Sequence, residues 1–163
     1  MTAGYIDRSL MHNSALACFV LASFTREYQS LTANTRHPSL EKLLLVLPLV
    51  LHKPTRDSIR RRKSETPLHS VLIDEPRILE GLRPRVAAHA SVSCQGLNIA
   101  CETGLLSRRE NDGEVFFSFR NAQWPRGSSP TALSTDMVGG VSRLARWFKD
   151  YTAAELFAML GLT

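Results

Sequence analysis

Nine consecutive apolar residues, Leu43 to Leu51, carry a proline at position 48 and end at His52-Lys53-Pro54-Thr55-Arg56. The run is too short to cross a bilayer, which takes roughly 20 apolar residues in a helix. A helix that is apolar on every side has to lie inside a core. The segment therefore predicts a central buried helix from Pro38-Ser39 to about Leu51. Ser39 is its expected N-cap, and Glu41 sits in the first turn, where the helix dipole favours negative charge. Pro48 has no N–H to donate, so the helix kinks or ends close to it. Pro54 pushes residue 53 toward an extended conformation, and Thr55 is placed to cap the helix that follows.

The remaining elements have to surround that run. A length of 163 residues suits a single domain over 1–163, and a hydrophobic share of 44% is ordinary for a globular chain. Asn13 or Ser14 opens a first helix with Leu16, Phe19, Val20, Phe24, Tyr28 and Leu31 at helical spacing. Thr66-Pro67 and Asp74-Glu75-Pro76 start short helices, and Pro84 interrupts the second of them. A further helix over about 88–103 places Val92, Leu97, Ala100 and Cys101 inward. Gly96 costs that helix about 1 kcal/mol against alanine, which suggests a close helix crossing or a kink. This gives a helical core over 13–104.

After Gly104 the period changes. Asn111-Asp112-Gly113 between two β-prone runs is a hairpin turn, placing a hairpin over 105–120. A loop rich in Pro, Gly and Ser, expected to be mobile, spans 121–130. C-terminal helices follow over 131–161. Ser134 or Thr135 caps the first; Thr152-Ala153-Ala154-Glu155 is a capping box for the last, and Gly161 terminates it. Gly139-Gly140 permits a close backbone approach, expected against the helix at Ala15 to Ala22. The fold class read from this order is mainly α: a multi-helix domain with a winged-helix-like element whose wing is the one β-hairpin.

Chemistry is sparse. Five histidines are scattered without ligand spacing, and three cysteines form no disulfide framework. Cys94 and Cys101 read as small core residues. No glycine-rich phosphate loop or Gly-x-Ser-x-Gly elbow is present. No catalytic, cofactor-binding or metal-binding residue is assigned, and the chain is expected not to be an enzyme. Met1 to Asp7 does not read as a secretory signal, so the cytoplasm is the expected location, without a membrane.

The net charge of +5 permits contact with nucleic acid or an acidic protein surface. Its densest cluster is Arg56, Arg60, Arg61, Arg62 and Lys63; Arg108 and Arg109 lie in the hairpin. These residues, with Trp124 in the Pro/Gly/Ser loop as an anchor, are the candidate contacts to a partner or to DNA. Ser91 to Thr103 contains no arginine or lysine, although base-edge reading needs Arg, Lys, Asn or Gln. Any DNA contact is thus expected at the backbone, without sequence choice.

The segment Leu47-Pro48-Leu49-Val50-Leu51-His52-Lys53-Pro54-Thr55-Arg56 resembles the signature of the middle component of bacterial three-component ABC systems. The run from Leu144-Ala145-Arg146-Trp147-Phe148 through Phe157-Ala158-Met159-Leu160-Gly161 resembles the ending of the same family. The similarity covers roughly 13–162, and Pro48, His52, Lys53, Pro54, Thr55 and Arg56 match the central motif. The resemblance implies an operon partner of an SMC-like ABC ATPase and an effector, often a nuclease, as in Lamassu-related systems that act against phage and plasmids. It implies a non-enzymatic adaptor between the two, with possible non-specific contact to DNA backbone. The alternative is a free-standing winged-helix regulator that binds DNA by itself.

Overall fold

The computed structural model describes residues 13–120 and 133–163. Helix α1 (Ser14–Leu31) starts at Asn13, whose side chain accepts from the Leu16 amide. The central apolar run then forms two short helices, α2 (Leu40–Leu44) and α3 (Val46–Val50), rather than one. The break falls at Leu45, not at the proline. Pro48 leaves the carbonyl four residues earlier, at Leu44, without its helical donor, and the ladder is lost there. Residues Leu45 to Val50 are all buried, as a segment apolar on every side requires.

Helix α4 (Lys53–Arg60) has His52 as its N-cap, so Thr55 lies inside the helix and is not the cap. Pro54 occupies the first turn, where a missing N–H costs nothing. Helix α5 (Leu68–Asp74) and a 3-10 turn (Pro76–Leu79) follow. The next helix, α6 (Leu82–Glu102), is longer than the sequence suggested. Pro84 falls in its first turn and is tolerated there, so it does not divide the segment.

Helix α6 packs most heavily against α1, and α1 also packs on α7 (Thr135–Phe148). The α1–α6 crossing is close because position 96 is glycine. A Cβ there would lie 2.7 Å from the Ala17 Cβ and 2.8 Å from the Cys18 backbone nitrogen. Phe24 of α1 meets Phe148 of α7 edge to face at 5.8 Å, which fixes the third side of the core. The helix α8 (Ala153–Met159) has the expected capping box from Thr152 and Glu155. Leu156 within it and Leu160 just after it are buried, so this apolar segment is held in the domain's own core.

The sheet is the predicted hairpin, β1 (Leu106–Asn111) paired antiparallel with β2 (Glu114–Phe119) from Leu106↔Phe119 to Asn111↔Glu114. Asp112 and Gly113 both take positive φ, as a two-residue turn with the sheet's twist demands. The hairpin is clamped to the helices. Phe117 is buried and donates its amide to the Pro38 carbonyl at 3.1 Å. Phe119 donates its amide to the Gln29 side chain. The result is a mainly helical domain with one small hairpin. Among the described residues no helix is long and apolar enough to cross a membrane.

Two expectations about packing need correction. Gly139 and Gly140 face Arg60, Arg56 and Val50 rather than the α1 backbone; the space they leave is filled by arginine stems. Cys94 is exposed, because it falls on the outer face of α6.

Candidate functional site

The signature is tied together by a residue that lies outside it. Arg85, in the first turns of α6, sends its guanidinium back across the junction of α3, α4 and the 3-10 turn. Its Nε donates to the Pro48 carbonyl at 3.3 Å and its Nη1 to the Glu80 carbonyl at 2.6 Å. Its Nη2 donates to the Thr55 hydroxyl and to the Ile78 carbonyl, both at 3.3 Å. The Thr55 hydroxyl also shares a 2.7 Å hydrogen bond with His52 Nδ1. Burial lowers the His52 pKa, and the Arg85 charge lowers it further. A neutral ring can accept the Thr55 proton while the hydroxyl oxygen accepts from Arg85. Pro48, His52 and Thr55 thus form one hydrogen-bonded knot with α6. This is architecture: the knot fixes the angle between α3 and α4.

The basic cluster divides once its partners are known. Arg56 is 9% exposed and donates Nη1 to the Val50 carbonyl at 2.7 Å. Arg60 pairs with Asp136 of α7 at 2.6 Å. Arg62 reaches both Asp74, at 3.3 Å, and Glu75, at 3.0 Å. Lys53 pairs with Asp57 one turn on, at 2.7 Å. Arg61 and Lys63 remain exposed and make no ion pair among the described residues. Arg61 lines a shallow cavity of about 320 Å³ beside the signature, with Lys53, Pro54, Thr55, Glu75 and Arg77. In the hairpin Arg108 and Arg109 are exposed, but Glu110, Asp112 and Glu114 are exposed beside them. Trp124 lies outside the described residues.

A second site was not foreseen. Lys42 is only 7% exposed. Its ammonium donates to the Tyr28 hydroxyl at 2.9 Å and to the Phe148 carbonyl at 2.8 Å. Phe148 ends α7, so its carbonyl belongs to the negative pole of that helix. Arg36 serves the same pole by donating to the Lys149 carbonyl at 2.9 Å. Lys42 lies in the wall of an open cavity of about 710 Å³ between α1, the hairpin and the α7–α8 turn. Four cations (Arg36, Lys42, Arg109 and Lys149) and three carboxylates (Glu114, Asp150 and Glu155) line it. A signal did exist in the sequence: Lys42 is four and seven residues before Val46 and Leu49, on the stripe that had to be buried.

Burial pushes the Lys42 pKa down to about 8, Arg36 adds repulsion, and Glu155 and Asp150 oppose the shift. The folded value lies below the ordinary lysine value of 10.5, so between these pH values the unfolded chain holds more protons. Stability lost to the buried charge at neutral pH therefore returns as pH rises through 8. From pH 7 to 10 the stability of the wild type relative to Lys42→Met is expected to improve by about 2 kcal/mol. Urea midpoints of the two proteins across that range check this; a constant difference contradicts a buried charged lysine.

Among the described residues no group of three His, Cys, Asp or Glu side chains is placed to hold a metal ion. No curated protein and no solved structure matches this chain. One family does match, over residues 7–163, and it takes in the signature, the hairpin and the C-terminal helices. The chain belongs to the family of Middle Component 3 of ABC-three component (ABC-3C) systems.

Proposed function

We propose that this chain is a non-enzymatic adaptor that joins an SMC-like ABC ATPase to an effector protein in a system that acts against phage and plasmids. Family membership is the observation that carries this reading, because a middle component is one of three parts that work together. Surface chemistry supports it. Arg56, Arg60 and Arg62 spend their charge inside the domain. That leaves Lys63 exposed and Arg61 in a cavity whose lining also mixes Lys53 and Arg77 with Asp57 and Glu75. A wall of both signs suits a polar protein surface better than a run of phosphates. From Ser91 onward the solvent face of α6 offers Ser91, Cys94, Gln95 and Asn98, none of them cationic. The hairpin tip carries Glu110, Asp112 and Glu114, which repel phosphate. Both features weigh against a free-standing DNA-binding regulator.

The test is co-expression with the two reading frames beside it, followed by size exclusion. A stable complex containing an SMC-type ATPase is expected. The double change Arg61→Glu, Lys63→Glu is expected to weaken it at least roughly tenfold while leaving the isolated fold unchanged. A chain that elutes alone, and that binds duplex DNA tightly at moderate salt, sinks the adaptor reading.

A further inference from the structure

The cavity beside Lys42 has unfilled hydrogen-bonding capacity on three of its walls. An ammonium has three N–H groups, and Lys42 uses two, on Tyr28 and Phe148. No described carboxylate lies within ion-pair distance of it, although a buried cation is ordinarily paired. His37 lines the same cavity, and its Nδ1 is buried without a hydrogen-bond partner. Arg109, reaching in from β1, makes no ion pair among the described residues. Two of the three lining acids are otherwise engaged, and the third, Glu114, is exposed at the hairpin end of the cavity. Asp150 holds Lys149 at 2.8 Å, and Glu155 accepts from the Thr152 amide at 2.7 Å in the capping box.

We propose that this cavity is a binding site for a carboxylate, held by Lys42 and Arg109 with His37 at its edge. Charge selects the anion. Four lining cations against three lining carboxylates leave an excess of one, which matches a singly charged carboxylate and not a phosphate dianion. Phe116 and Tyr151 add apolar surface, so the ligand carries an apolar body beside its acid group. A volume of about 710 Å³ accommodates such a molecule. The carboxylate can come from a small organic acid or from the C-terminus of a peptide chain. Both sources present the same group to Lys42.

Amide chemical-shift mapping on the full chain tests this with two probe pairs: phenylacetate against phenylacetamide, and an acetylated Gly-Leu-Phe peptide with a free or an amidated C-terminus. The acids are expected to shift the amides of residues 28, 37, 42, 109 and 116 at millimolar concentration, and the amides are not. Lys42→Met is expected to weaken the acids roughly tenfold, the equivalent of one charge-assisted contact. Arg109→Gln, on the exposed hairpin, is expected to weaken them about threefold and guards against a folding defect in the lysine variant. Tighter binding of the peptide assigns the site to a chain terminus, and tighter binding of phenylacetate assigns it to a small acid. Equal shifts from acids and amides, no shifts at all, or affinities untouched by Arg109→Gln overturn the proposal.

Discussion

Gly96→Ala is expected to destabilise the protein by about 2–4 kcal/mol, against the gain of about 1 kcal/mol that helix propensity alone predicts. The sign reverses because the new methyl group has nowhere to go. It would lie 2.7 Å from the Ala17 Cβ, 2.8 Å from the Cys18 nitrogen and 2.9 Å from the Ala17 carbonyl carbon. Two of those three atoms are backbone, which cannot rotate aside. Helices α1 and α6 must therefore separate, and the buried residues Val20, Leu21, Val92, Leu97 and Ala100 lose contact with them. Total stabilities of about 5–15 kcal/mol leave little room for this, so Gly96→Leu is expected not to fold. Urea unfolding followed by circular dichroism measures the effect. Adding Ala17→Gly to Gly96→Ala removes one close contact of three, so partial recovery is expected. A more stable Gly96→Ala protein contradicts the α1–α6 crossing as described.

That glycine shows what the sequence made legible. A helix-breaking residue inside a strong helical period announces a close crossing, though not the helix it crosses. Local signals carried over well: the helix start at Asn13 or Ser14, the box at Thr152 and Glu155, and the hairpin turn at Asp112-Gly113 all depend on residues within a few positions. Signals that compete were misread. Pro48 breaks its helix at the carbonyl it leaves unpaired, so the break appears at Leu45. Thr55 looked like a cap because a polar residue after a proline is a common start, but His52 takes that place and the hydroxyl turns to Arg85. The basic cluster was visible as a density of charge. Its division was not, since the partner of Arg60 is Asp136, in a helix far along the chain. The burial of Lys42 is legible in its place on the apolar stripe, but its partners are not, and neither are those of Arg85: both depend on carbonyls that only the tertiary fold delivers.

Arg85→Met is expected to cost about 3–4 kcal/mol and to loosen the signature before the rest of the core. The change keeps an apolar stem but leaves the carbonyls of Pro48, Ile78 and Glu80 and the Thr55 hydroxyl without this donor. Hydrogen bonds to a charged donor contribute about 1.5–3 kcal/mol each, yet four on one group do not add, because losing the first frees the others to relax. Arg85→Lys tests geometry against charge. An ammonium restores the charge but is a single point that cannot span four acceptors in a fork, so it is expected to recover less than half of the loss. Hydrogen exchange is expected to accelerate at residues 52–56 and 76–82, and to stay slow in the α1–α7 contact around Phe24 and Phe148. The His52 titration separates this local effect from general destabilisation. Burial lowers its pKa first and the Arg85 charge second, so Arg85→Met is expected to raise it part of the way to its ordinary value, and Arg85→Lys to leave it low. An unchanged His52 titration in Arg85→Met, or a lysine variant as stable as the wild type, means that the signature is held by its apolar packing and not by the guanidinium.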